Sequence, residues 1–498
     1  MTSPARPLPT PPPARDAAPP LVAETSATPG PGPIVAVLAF TGIVISALQT
    51  LLVPIIADLP ALLHTSASNA GWAITATLLS GAVATPITGR LGDLYGKRRM
   101  LLACLGAMVA GSLIAGFTSQ LGILLAGRVL QGFALGSIPL AISILRDVLP
   151  PERLASATGL ISASVGIGGA LALPSAALIA QHFDWHLLFF GPAGLGLLAI
   201  ALILWAVPEP TLRAAGGFDG PGAVGLAAAL VALLLAITKG GDWGWVSGPT
   251  LGLFAAAAVI LLGWGVLELR TSAPLVDLRT SVSRQTVLTN IIAVTLGISI
   301  YTVTLVESQL LQLPTATGFG LGLSQVAAGL SLAPMGVAMM LAAPLSARIT
   351  AAHGPRVALV LGLLVLTTGY GAGLVLMDAV WQVIVAGTVI GVGVGLASAT
   401  LPTLIMGAVD PTRTGAANAL NALMRSIGSS VCSAVVAAVL AHQVMDFHGT
   451  PVPDLSGFRT SFVITVAALL LALVLAALLP SENLGSERQD LAQIMQPP

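Results

Sequence analysis

The sequence predicts an all-α integral membrane protein. It has fourteen transmembrane helices, laid out as two six-helix halves in parallel repeat with two further helices inserted between them. Three observations carry that prediction. The 498 residues are 55% hydrophobic and 8% charged, with a mean hydropathy of +0.95. Charged residues make up about a quarter of an ordinary soluble chain, so lipid must solvate much of this surface. Fourteen apolar stretches approach the roughly 20 residues that a spanning helix needs. The string P-I-T-G-R-L-G-D-L-Y-G-K-R at 86–98 also returns, weakened, as P-L-S-A-R-I-T-A-A-H-G-P-R at 344–356, an offset of 258 residues.

Residues 1–32 are rich in Pro, Ala and Thr and have no apolar core, which predicts a disordered tail and excludes a cleaved leader. The first six spans are expected at 34–57, 71–89, 99–118, 121–146, 155–180 and 187–207, forming an N-terminal bundle over 33–207. Spans at 221–239 and 249–268 make a linker unit over 208–285. The last six, at 288–312, 324–347, 356–377, 380–408, 414–441 and 460–480, form a C-terminal bundle over 286–480, followed by a polar tail at 481–498. The repeat continues beyond the opening string. Residues 126–130 (A-G-R-V-L) lie over 386–390 (A-G-T-V-I), and Arg153 lies over Arg413, both at an offset of 260. Helices 2–5 therefore match helices 10–13 in the same direction. Two such halves, related by an axis along the membrane normal, enclose a central cavity near the midplane.

Orientation follows from the basic residues. Sixteen of the twenty fall on the side of the two tails, Lys239 and Arg459 fall opposite, and Arg128 and Arg425 lie within spans. Both termini are thus expected in the cytoplasm. Trp72, Trp185, Trp243, Trp245 and Trp381 mark the outer interface. Only two lysines, with much Ala, Gly and Pro, hint at a high-GC bacterial genome and so at a bacterial plasma membrane.

The chemistry concentrates in a few places. Gly89, Arg90, Gly92, Asp93, Gly96, Lys97 and Arg98 are read as a loop between helices 2 and 3, in which glycines allow a tight turn and Asp93 can pair with an Arg or with a helix N-terminus. Such a charge network can hold one conformation and break in another. Arg128 lies about two turns into helix 4, with Gln131 one turn on; an intramembrane Arg needs a cavity or partners. Glu307 is the one acid well inside a span, and burial of a carboxyl suits reversible proton binding; the alternatives are an acid near a water-filled vestibule and one paired structurally with an Arg. Asn418, Asn421 and Arg425 share one face of helix 13, where they can line a substrate path or join helices. Gln49, with Ser46 and Thr50, supplies the polar groups of helix 1. Asp58 and four histidines (His64, His182, His186 and His442) read as interface residues, and Cys104 and Cys432 as small buried ones. No metal-ligand spacing, nucleotide-binding loop or nucleophile–base constellation is visible, so no cofactor, enzymatic activity or nucleic-acid partner is expected.

The 89–99 string resembles the signature loop of the major facilitator superfamily, G-x-L-x-D-x-x-G-[RK]-[RK]. The fourteen spans, Trp72 in W-A-I-T-A-T-L-L and Arg128 in A-G-R-V-L-Q-G resemble the 14-helix drug:proton antiporter branch. The resemblance implies export of small organic compounds, antibiotics or toxic cations among them, in exchange for protons. It also implies gating by the Asp93 string and a part for Arg128 in proton coupling. Two departures stand out. Helix 1 reads I-S-A-L-Q-T-L-L-V-P where that branch carries an acid. The helix-5 motif keeps Gly169 and Pro174 but has Leu173, Ala177 and Leu178 in place of glycines. The alternatives are a specific metabolite transporter of the same fold without proton coupling, and a membrane sensor that does not transport.

Overall fold

The computed structural model describes residues 30–52, 55, 58–271, 274–276, 279, 283–447 and 450–480. The expected tails at 1–29 and 481–498 lie outside the described residues. Long helices dominate: α1 (Pro31–Thr50), α2 (Trp72–Tyr95), α3 (Lys97–Gly116), α4 (Leu121–Val148), α5 (Pro151–His182), α6 (Leu187–Ala206) and α7 (Gly220–Trp243). Then follow α8 (Gly248–Arg270), α9 (Arg284–Gln312), α10 (Gln325–His353), α11 (Pro355–Gly373), α12 (Val380–Gly407), α13 (Thr414–His442) and α14 (Leu455–Ala477). Among the described residues, thirteen helices are long and apolar enough to cross a membrane. The 24-residue α2 stands outside that set, diluted by threonine, glycine, Arg90 and Asp93.

Several boundaries differ from the sequence reading, each for a physical reason. Residues 89–95 are not a loop. They form the last two turns of α2, because their polar groups are satisfied by a neighbouring helix instead of by water. Only Gly96 breaks the helix, at φ +122°, a conformation that a side chain disfavours. Helix α1 begins at Pro31, inside the expected tail, since proline suits the first helical turn. Helix α4 tightens to a 3-10 turn at Phe133–Gly136. Between α13 and α14 the chain forms an antiparallel hairpin, β1 (Val444–Phe447) and β2 (Thr450–Pro453), in register Val444↔Pro453. Asp454 then caps α14 by accepting from the amides of Ser456 and Gly457, so that helix starts earlier than expected.

The helices pair in a recurring pattern. Helix α1 packs on α5, α3 on α4 and α6, and α2 on α4. Eight helices later, α9 packs on α13, α11 on α12 and α14, and α10 on α12. The repeated strings fold alike: α2 and α10 each end in a positive-φ glycine, Gly96 and Gly354 (φ +85°), and the next helix starts at once. One core gathers Leu38, Ile45, Leu105, Met108 and Ile203, and another Ile292, Leu296, Leu363, Val394 and Phe458. The α1–α6 and α9–α14 groups meet through α5 on α10 and α2 on α13. Helix α7 lies across that seam, where Leu226, Leu230 and Leu234 pack against Ala82 of α2 and Leu423 of α13. Helix α8 sits outside α7, with Val259 and Leu262 69% and 74% exposed, as a lipid-facing helix would be.

Candidate functional site

Close approach of backbones sets the geometry where α2 meets α13. A Cβ on Gly89 would lie 2.6 Å from Ala419 Cβ and 2.7 Å from Gly415 O. This lets Asp93, fully buried, reach the first amides of α13. Its carboxylate accepts from Gly415 N at 3.0 Å and Ala416 N at 2.8 Å. An anion at a helix N-terminus is stabilised both by the free amides and by the helix dipole. Beside it, the buried Lys97 Nζ donates to Asp147 Oδ2 at 2.6 Å and to Thr414 Oγ1 at 3.0 Å, and stands 3.9 Å from Asp93 Oδ1. One lysine thus ties together the ends of α3, α4 and α13.

The chain leaving α6 seals this cluster. Ala214 N donates to the Asp93 carbonyl at 2.8 Å, and Arg213 pairs with Glu209 at 3.2 Å against Gly96. Arg98 is turned away, donating to Leu204 O at 2.8 Å. Arg90 is buried and lines a cavity with Leu275, Val276 and Arg413. Gly92 packs on Leu140 of α4.

Further hydrogen bonds join 31–206 to 284–477 in the half of the helices on the side of this motif. Besides those of Asp93 and Lys97, Asn418 donates to Ser143 Oγ at 3.3 Å and Ser162 to Ser398 O at 3.5 Å. Helices α5 and α10 are also tight here, with Gly159 against Ala343 and Gly166 against Met339.

Sites deeper in the fold are separate from this cluster. Arg128 is fixed within the α1–α6 group: its Nε donates to Ala73 O and its Nη1 to Gln131 Oε1, both at 2.7 Å. Gln131, fully buried, passes the chain on to Ser112 at 2.8 Å. Glu307 is buried in an apolar cavity of the α9–α14 group, lined by Leu310, Gly373, Met377, Val383 and Phe462, with its Oε2 near Gly387. Arg128 and Glu307 do not meet. Asn421 is spent on Asn290 of α9 at 3.0 Å, whereas Arg425, on the same helix, is partly exposed. Gln49 is partly exposed in α1.

In the helix-5 motif, Gly169 has ordinary room and Pro174 sits inside an unbroken helix. The tight positions are Gly168, against Ile43 and Ser46 of α1, and Gly166. Ser46 donates to Val165 O across that contact. Asp147, Thr414 and Ser143 were not singled out from sequence. Asp147 is a single acid at a helix end, and backbone amides such as that of Ala416 carry no residue signature.

The Major Facilitator Superfamily model matches residues 38–433 and 287–493. The tetracenomycin C resistance and export protein of Streptomyces glaucescens is 29% identical over 401 residues, covering 77% of this chain and 71% of that protein. Multidrug resistance protein 3 of Bacillus subtilis is 25% identical over 404 residues (78% and 76%). The uridine/deoxyuridine transporter of Lactococcus lactis subsp. cremoris is 28% identical over 425 residues (82% and 87%). Among solved structures, the proton:xylose symporter XylE superposes with a TM-score of 0.64 at 14% identity, covering 90% of this chain and 95% of that one. The fold, the repeated helix–glycine turn–helix units and the family match agree: the chain is a multi-pass membrane protein belonging to the major facilitator superfamily.

Proposed function

We propose that this protein is a secondary active transporter that exports small organic compounds, drugs or antibiotics among them, from a bacterial cell by proton antiport. It crosses the plasma membrane fourteen times with both termini in the cytoplasm. The α1–α6 and α9–α14 groups rock about a shared central site, with α7 and α8 as an inserted pair. The observation that carries this reading is the Asp93 carboxylate seated on the α13 N-terminus. That contact closes one end of the seam with bonds that a small rotation would break, which alternating access requires. The names of the tetracenomycin and multidrug relatives support export. In this reading Glu307 carries the proton, since a carboxyl in an apolar cavity holds and releases protons reversibly, and Arg128 is the second coupling residue. Gln49, Gln131, Asn418, Asn421 and Arg425 line or support the substrate path.

The test is drug susceptibility of a pump-deficient host that expresses the full chain, compared with Asp93→Asn. Raised tolerance to several compounds, lost in the variant at equal membrane abundance, is the expected result; unchanged tolerance across the panel counts against export. For coupling, Glu307→Gln should abolish the dependence of transport on the proton gradient, and a retained dependence rejects Glu307 as carrier.

A second reading has a specific observation behind it. Helix 1 offers Ser46, Gln49 and Thr50 but no acid, and one relative is named for nucleoside transport. A metabolite transporter without proton coupling would move its substrate with no accompanying proton flux into proteoliposomes.

A further inference from the structure

We infer that the central site selects organic anions over organic cations, and that Arg425 makes the selection. The inference rests on the export reading and narrows its substrate class. It begins with where charge lies inside the two helix groups. Away from the motif end, and more than a turn from any helix terminus, α1–α6 and α9–α14 hold three buried or partly buried charged side chains among the described residues: Arg128, Glu307 and Arg425.

Two of these are turned away from the seam. Arg128 is 1% exposed and spends its guanidinium on Ala73 O and Gln131, inside the first group. Glu307 is 3% exposed, and the residues lining its cavity all come from the second group or its loops. Arg425 differs from both. It is partly exposed, and no hydrogen bond or ion pair of its guanidinium occurs among the described residues.

Its direction follows from helix geometry. Asn418 reaches across the seam to Ser143 of α4. Residue 425 is seven positions on, on the same face and about 10 Å farther from the motif end. The hydrogen bonds between the groups reach about that level and no farther, since Ser162 lies eleven residues into α5 as Arg425 does into α13. Arg425 therefore faces the seam between the groups, at the inner limit of the hydrogen-bonded end.

A guanidinium keeps its charge in nearly any environment. Held in a low-dielectric interior without a carboxylate, it is costly until an anion arrives. No acid faces it from α1, where Ser46 is already bonded to Val165 O and Gln49 is neutral. A carboxylate or phenolate on a bound aromatic compound would supply the missing partner. A permanent cation would meet a like charge with no acid near enough to offset it. The expectation of toxic cations as cargo is reversed on this argument.

The experiment uses the purified full chain in proteoliposomes with three probes: carboxyfluorescein as anion, ethidium as cation and uridine as neutral metabolite. The expected result is saturable movement of carboxyfluorescein, with ethidium slower by roughly tenfold or more. Arg425→Gln should lower carboxyfluorescein movement by about tenfold or more, while Arg425→Lys, which keeps the charge, stays within a few-fold of wild type. Retained monodispersity of both variants separates this from misfolding. Ethidium moving as well as the anion, or Arg425→Gln moving carboxyfluorescein at the wild-type rate, overturns the inference and leaves export standing. Movement of uridine alone, or of no probe, overturns export and the inference together.

Discussion

In the proposed mechanism Asp93 is the residue on which the most depends, and the role proposed for it is electrostatic. A carboxylate hydrogen bond to an amide contributes about 1.5–3 kcal/mol, against about 1 kcal/mol for a neutral pair. Asp93→Asn keeps the shape and one acceptor oxygen but removes the charge at the α13 N-terminus. The expected outcome is at least about a tenfold loss of transport rate, measured in vesicles at matched abundance, with the melting temperature little changed. Arg128 makes the opposite prediction. Arg128→Lys cannot reproduce the fork to Ala73 O and Gln131, so it should cost about 1–3 kcal/mol of stability, read as a lower melting temperature in detergent. From sequence, the 89–98 string announced itself through its charges within an apolar run. Its partners did not: Gly415 and Ala416 contribute backbone amides, Thr414 is one threonine among many, and Asp147 is one acid at a helix end. Asn421 shows the same limit, because a polar stripe at 418, 421 and 425 has the same spacing whether it lines a path or joins helices.

At the scale of elements, packing rests on glycines whose missing side chain lets helices touch. Gly297 of α9 lies on the Arg425 carbonyl of α13, and Gly428 of α13 lies on the Val294 carbonyl of α9. A methyl at either site must push the helices apart. Gly428→Ala should therefore lower the melting temperature, while Gly106→Ala, whose Cβ meets nothing within 4 Å, should not. The α7–α8 pair has its own tight point. A Cβ on Gly222 would meet the carboxyls of both Asp219 and Glu268, so Gly222→Ala should loosen the hairpin, detected as faster proteolysis between α8 and α9. At the other end of the fold, the cap on α14 responds to pH. Bonds from Ser456 and Gly457 hold the Asp454 carboxyl below the usual range. The cap is thus present at neutral pH and lost only as pH falls through that lowered value. The long apolar runs made nearly every helix legible beforehand. The ends were not, because Arg90 and Asp93 look like loop residues until another helix is seen to bury them. The β1–β2 hairpin is too short, and too mixed in composition, to carry a period.

For the whole molecule, the account is that two helix groups close on one another at the motif end and part there during transport. The recurring helix pairing is in keeping with the repeated string. What it could not reveal is the asymmetry of the closure. The second copy has Ala351 where the first has Asp93, and Ala351 is exposed. One carboxylate therefore serves a seam that the repeat alone would furnish with two. The most direct measurement is the distance, by pulsed electron paramagnetic resonance, between spin labels at exposed Tyr95 and exposed Asp410, one on each group at the motif end. A second pair at Phe183 and Trp381, 64% and 63% exposed, reports the opposite end. The account predicts one short Tyr95–Asp410 distance in the wild type. In Asp93→Asn a second, longer population should appear, matched by shortening between Phe183 and Trp381. Identical distributions in the two proteins would contradict it.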